Sequence, residues 1–132
     1  MSEPRYLNVD LVISSKEELT PIVESFDQDV MVLFNGKWAE HYRAVFEIAG
    51  SHAAANEDIA YFCSLIEGLE GKAEELWQGA FSREFDVGFE SGLRGECAFA
   101  VLQTAVVKRI AESGASVSIT LYPAAPGESA TS

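Results

Sequence analysis

The chain has 132 residues, of which 48% are hydrophobic and 23% are charged. This balance is typical of one globular domain and excludes a disordered or fibrous chain. The 21 acidic and 9 basic side chains give a formal net charge of −12. Because a nucleic-acid binder needs clustered Lys and Arg to replace the counterions of phosphates, the composition disfavours nucleic acid, and anionic membrane surfaces, as partners.

The first elements are predicted to be a strand and a helix. Residues 7–13 alternate apolar and polar side chains, which predicts a half-buried strand. The helix that follows has two possible starts. The capping-box pattern of residues 15–18 is one, and Thr20 as cap with Pro21 in the first turn is the other.

A hairpin is predicted next. Residues 30–34 are uninterruptedly apolar and predict a buried strand, and the Asn35-Gly36 pair that follows is typical of a two-residue turn. The return strand then covers residues 37–49, with apolar and polar side chains in alternation.

The second half of the chain repeats strand and helix patterns. Asn56 is a suitable helix cap, and Gly114 is suited to end the last helix. The predicted elements are helices over 56–69 and 72–79, strands over 84–90 and 96–102, a helix over 104–113 and a strand over 117–121.

These elements predict an α+β fold of two layers. The order β-α-β-β-α-α-β-β-α-β favours a mostly antiparallel sheet of about six strands with helices on one face, because each strand has a single apolar side. Residues 1–123 are expected to form a single domain. Residues 124–132 are rich in Ala, Ser, Pro and Gly and are expected to form a disordered C-terminal tail.

The N-terminal residues lack the basic and apolar regions of a signal peptide, which favours a cytoplasmic protein. Cys63 and Cys97 each lie among apolar residues, with no Cys or His at zinc-ligand spacing. We therefore expect reduced core thiols and no cofactor or metal.

The sequence also lacks the nucleophile elbow, the P-loop, the zinc-protease pattern and the dinucleotide fingerprint, which favours a protein that is not an enzyme. His41 and His52 are the two histidines. His41 lies on the polar face of the return strand and is expected to be a surface histidine.

Three acidic residues, Glu84, Asp86 and Glu90, lie on one face of a predicted strand. They form either a solvated strand face or an acidic docking surface for a basic protein partner.

A second candidate surface follows the predicted turn and contains Trp38, His41, Tyr42 and Arg43. An amphipathic aromatic residue beside polar groups is typical of a binding surface, so Trp38 is a candidate anchor. Trp38 at the end of the sheet is also suited to closing the core, which is the reading that the pattern favours. Trp77 lies on the apolar stripe of its helix and is predicted to be in the core.

Residues 85–89 and 110–123, a helix ending in Gly-Ala-Ser followed by a strand closing in Tyr-Pro, resemble small bacterial domain families of unknown function. Some such families look like immunity proteins encoded beside polymorphic toxins. The resemblance implies a small acidic α+β protein of bacterial type and brings no catalytic residues.

The leading hypothesis is a non-enzymatic acidic interaction domain, an immunity-like protein that occludes a basic toxin or nucleic-acid-binding surface. One alternative is a small-molecule binder or modest enzyme with a pocket between sheet and helices. Another is a structural homodimer formed through an exposed strand edge.

Overall fold

The computed structural model describes residues 5–50, 54–92 and 100–123 and confirms the predicted α+β class. A five-stranded sheet carries its helices on one face. The strands are β1 (Arg5–Ser15), β2 (Val30–Trp38), β3 (His41–Ile48), β4 (Ser82–Glu90) and β5 (Ser116–Tyr122). The helices are α1 (Thr20–Phe26), α2 (Ala55–Glu67), α3 (Gly71–Gly79) and α4 (Thr104–Ser113), with a single 3₁₀ turn at Asp27–Asp29.

The sheet has the order β2-β3-β1-β4-β5, so the first strand lies at its centre. β1 is antiparallel to both β3 and β4, and β2 and β3 form an antiparallel hairpin. β5 is parallel to β4, as expected for two strands joined through a helix. Of the sixth predicted strand, residues 100–102 lie outside any strand and residues 96–99 lie outside the described part of the chain.

The core lies between the sheet and the helices. Val9, Leu11 and Ile13 of β1 are fully buried on the side that faces the helices. Phe62 of α2 and Trp77 of α3 pack into the same layer, as predicted for Trp77. The Trp77 indole N–H also donates to the Ser113 carbonyl at 3.0 Å, which connects α3 to the end of α4. Each such large side chain stabilises the fold by about 1.5–3 kcal/mol through burial.

The predicted position of the hairpin turn was wrong. The turn lies at residues 39–40, and β2 continues through Asn35 and Gly36. A turn at those two residues would leave Phe46 and Ile48 beyond the end of β2. The observed register instead pairs Val30 with Ile48 and so keeps the core side of the hairpin continuous. The tertiary packing therefore overrides the local turn preference of Asn-Gly.

The prediction that residues 30–34 form a buried strand was also wrong. Val30 is 7% exposed, whereas the next four side chains are 36–48% exposed. The reason is the position of β2 at the sheet edge, which a run of apolar residues does not reveal.

The structure selects one of the two predicted starts of the first helix and corrects the predicted cap of α2. The first helix begins at Thr20, with Pro21 in its first turn. Asn56 does not cap α2, because it lies one residue inside the helix. Its side-chain oxygen accepts the backbone N–H of Gln103 at 2.9 Å, so that Asn56 positions the start of α4. Gly114 ends α4 with φ +79°, as predicted.

Cys63 is buried and is not disulfide-bonded, and its burial raises the pKa of the thiol. Cys97 and His52 lie outside the described residues. Within the described ranges, no helix combines the length and the apolar character needed to cross a bilayer.

Candidate functional site: the open face of the sheet

Every second side chain of each strand projects away from the helices, and we call this surface the open face. Its position follows from the register, since cross-strand partners share a face of the sheet. The residues of the open face used below are Asn8 and Asp10 of β1, Phe34 and Trp38 of β2, His41, Arg43 and Glu47 of β3, Glu84, Asp86 and Glu90 of β4, and Ser118 and Thr120 of β5.

Three carboxylates lie directly opposite one another at the centre of this face. Asp10 of β1 pairs with Glu47 of β3 on one side and with Asp86 of β4 on the other. We call Glu47, Asp10 and Asp86 the carboxylate row. Directly opposed side chains have Cβ atoms about 4.5–5.5 Å apart, and like charges in such positions destabilise a sheet.

Neutral donors hold the carboxylates of the row in place. The Asn8 amide donates to both Asp10, at 3.2 Å, and Glu47. On the other side, the Thr120 hydroxyl donates to Asp86 at 2.7 Å, and the Ser118 hydroxyl donates to the same oxygen at 3.3 Å. These hydrogen bonds orient the carboxylates, so the row is ordered before any partner arrives.

An aromatic patch, formed by Phe34, Trp38 and Arg43, lies toward the hairpin end of the open face. The rings of Phe34 and Trp38 meet edge to face, with centroids 5.7 Å apart. The Arg43 guanidinium lies over the Trp38 ring, with its carbon 4.6 Å from the centroid. Trp38 is 47% exposed, so the prediction that it closes the core was wrong. The hairpin extends Trp38 beyond the helices and leaves it available for contact.

The structure places most of the predicted site residues on the open face, in two groups. Glu84, Asp86 and Glu90 lie together on β4, where Glu90 also accepts a bond of 2.9 Å from Arg5. Trp38, His41 and Arg43 lie at the hairpin end, with Trp38 directly opposite His41.

His41 and Tyr42 behave differently from their neighbours. The His41 ring is half-buried and meets the Phe81 ring edge to face at 5.1 Å. Tyr42 projects to the opposite side of the sheet, where it lines a shallow groove with Lys16 and Pro21. Tyr42 therefore does not join Trp38, His41 and Arg43.

Sequence reasoning missed Asp10 and Glu47 as site residues. Both were visible as polar residues of alternating strands. Asp10 lies beside both Glu47 and Asp86 only because of the register of three strands. The alternation could have assigned them to the polar face, but not to one row.

The core side of β3, behind Arg43, is filled by side chains. Ala44 and Phe46, which alternate with Arg43, Val45 and Glu47 along β3, are fully buried. The Phe46 ring meets that of Phe26 at 5.1 Å. These side chains occupy the space that a pocket between sheet and helices would need at this end of the molecule.

A shallow depression does lie on the open face itself. It has a volume of about 330 Å³ and is lined by Leu7, Asn8, Glu47 and Tyr122. Over the ranges 5–50, 54–92 and 100–123, no three His, Cys, Asp or Glu side chains converge as metal ligands would.

Comparisons with protein-family models, with curated proteins and with solved structures find no significant match to this chain. The geometry and the charge of the open face are therefore the observations that bear on function.

Proposed function

We propose that this protein is a non-enzymatic interaction domain whose open face binds a basic protein partner. The carboxylate row carries the proposal, because the strand register gathers three acidic side chains on one sheet face, where Asn8 and Thr120 hydrogen-bond to them. An immunity-like role, in which the open face occludes the basic surface of a toxin or of another nucleic-acid-binding protein, is the specific form that we propose.

The charge of the chain supports rapid association with such a partner. A net charge of −12 attracts a cationic surface over long range, and steering of this kind raises association rates by about 10- to 1,000-fold at low ionic strength. Lys or Arg side chains of the partner would form ion pairs with these carboxylates. The carboxylate row thus contributes to rate and to specificity.

The aromatic patch supports a second contribution to binding. Trp and Arg are enriched among the residues that dominate the energy of protein interfaces. Trp38 is 47% exposed and is already oriented by Phe34 and Arg43, so little side-chain freedom is lost when a partner covers it. We expect the patch to act as the anchor beside the electrostatic row.

Capture of partners with matched variants tests the proposal. Wild-type protein, an Asp10→Asn/Asp86→Asn variant and a Glu74→Gln/Glu75→Gln control are immobilised and exposed to lysate of the source organism at low salt. Both variants change the net charge from −12 to −10. The control residues are exposed on α3, in the helix layer.

We expect a basic protein that is retained by the wild type and by the control, is lost from the open-face variant, and is released by salt. A Trp38→Ala variant should retain it more weakly at every salt concentration. Equal retention by both charge variants would show that the open face is not the docking surface. Retention that is insensitive to salt would remove the electrostatic mechanism.

A further inference from the structure

The edge of the sheet formed by β5 differs from the edge formed by β2. β5 has the sequence Ser-Val-Ser-Ile-Thr-Leu-Tyr over Ser116–Tyr122, with no charged residue and no proline. Its pairing with β4 runs without interruption from residue 116 to residue 122. An edge strand with these properties is a template for pairing with another strand, and natural sheets usually protect such edges.

The β2 edge carries protection of that kind. A bulge interrupts its pairing with β3 between Val32 and Phe34, and Lys37 places a charge near its end. Bulges and lysines are two of the devices that prevent edge-to-edge pairing. Among the described strands, the contrast indicates that β5 is the edge better suited to pair with a further strand.

The apolar side chains of β5 are also exposed. Val117, Ile119 and Leu121 project to the core side of the sheet, next to Phe85, Val87 and Phe89 of β4. Their exposed fractions are 40%, 71% and 65%, although the neighbouring Phe85 and Val87 are buried. These side chains continue the apolar layer of the core onto β5 and stay exposed within the described part of the chain, so a partner that extends both the sheet and the core would fit here.

We propose that this partner is a second copy of the chain, with the two β5 strands antiparallel about a two-fold axis at Ile119. In that register Ile119 lies opposite Ile119 of the second copy, and Val117 lies opposite Leu121 of the second copy. All apolar side chains then share one side, and Ser118 meets Thr120 of the second copy on the other. Two strands of this length form about six to eight inter-chain backbone hydrogen bonds. The strand is thus self-complementary, as a two-fold interface requires.

The charge distribution of the chain also favours β5 as the contact between two copies. Two copies that each carry −12 repel one another over most of their surfaces, whereas β5 adds no charge to the contact. Asp86 of the two copies would be three strand spacings apart and displaced by two residues along the strands, about 16 Å in all. This exceeds the Debye length of about 8 Å at physiological ionic strength. Dimerisation should therefore strengthen as salt is added, whereas binding of a basic partner to the open face should weaken.

Sedimentation equilibrium of the purified full chain tests the dimer. The contact is small for a stable interface, so we expect a dissociation constant on the order of 10–100 µM that falls when NaCl is raised. Ile119→Lys should weaken association by more than about tenfold, since it places two ammonium groups directly opposite each other. Leu33→Lys, which adds the same charge at an exposed residue of the β2 edge, should leave the dimer unchanged. Far-ultraviolet circular dichroism reports whether both variants are folded.

Oxidative cross-linking tests the register. Ile119→Cys should form an inter-chain disulfide readily, whereas Val117→Cys should not, because residues 117 of the two copies would be about 13 Å apart. Wild-type protein under the same oxidant measures the background from Cys63 and Cys97.

A monomer at about 500 µM in high salt would overturn the proposal, as would an unaltered dimer in Ile119→Lys. Equal cross-linking of the two cysteine variants would exclude the antiparallel register. None of these results alters the outcome expected for capture of a basic partner.

Discussion

The turn at residues 39–40 decides where Trp38 and His41 are held, and two single substitutions test it. Ala39 has φ +58°, a left-handed backbone conformation that disfavours side chains. Gly36 lies within β2, opposite Arg43, and its φ is not in that region. We expect both Ala39→Gly and Gly36→Ala to stabilise the protein.

The expected gain at Ala39 is the difference between two effects. A left-handed conformation costs a non-glycine residue about 1–2 kcal/mol. Glycine loses more conformational freedom on folding, which costs about 0.5–1 kcal/mol. Ala39→Gly should therefore raise the free energy of unfolding by about 0.5–1 kcal/mol.

The gain at Gly36 comes from the unfolded chain. A Cβ added at Gly36 would come no closer than 3.7 Å to the Phe34 ring, which is an ordinary van der Waals contact. Replacing a glycine by alanine without strain stabilises a protein by about 0.4–1 kcal/mol. If Asn35 and Gly36 formed the turn instead, the same substitution would destabilise by more than that.

Urea unfolding followed by tryptophan fluorescence measures both changes, and a gain of 1 kcal/mol corresponds to roughly 4 °C in Tm. If Gly36→Ala lowers the free energy of unfolding while the m-value in urea stays unchanged, the register of the hairpin is refuted. A loss of stability in Ala39→Gly would refute it as well.

Two further predictions concern hydrogen-bonded pairs outside the carboxylate row. The Tyr6 hydroxyl donates to the buried Asp58 carboxylate, and Tyr6→Phe should lower the free energy of unfolding by about 1.5–3 kcal/mol in urea. Burial and the bond to Asp58 raise the pKa of Tyr6, so only the unfolded chain releases that proton just above about pH 10. Wild-type stability should therefore fall with pH there, and more steeply than that of Tyr6→Phe in pH-dependent melts. Arg109 hydrogen-bonds to Glu67 through two contacts of 2.8 Å and lowers the pKa of that carboxyl. Glu67→Gln should cost under about 1 kcal/mol at pH 7, and that difference should vanish below about pH 3 in the same melts.

Local sequence patterns were sufficient to predict the type and the order of most secondary-structure elements. The alternation of residues 7–13 predicts β1 because period two is a property of the strand itself. The end of α4 at Gly114 was likewise predictable, since its φ of +79° is one that glycine adopts readily. Such signals lie within a few residues of the feature that they predict.

Features that depend on several strands were not predictable in this way. Asn35 and Gly36 have a strong turn preference, yet the pairing of Val30 with Ile48 decides where the chain reverses. The same limit applies to the site. Glu84, Asp86 and Glu90 were recognisable on one strand, but Asp10 and Glu47 join the row through pairings 76 and 37 residues apart in the chain.

The two proposed contacts use different parts of one sheet, and so they are compatible. A partner on the open face covers side chains that project from the sheet, whereas a second copy uses the backbone edge of β5. Thr120 belongs to both contact surfaces, because it lies on β5 and its hydroxyl donates to Asp86 of the carboxylate row at 2.7 Å. Pairing at β5 would bring two carboxylate rows onto one continuous face, where a partner with two basic patches gains avidity over a partner with one.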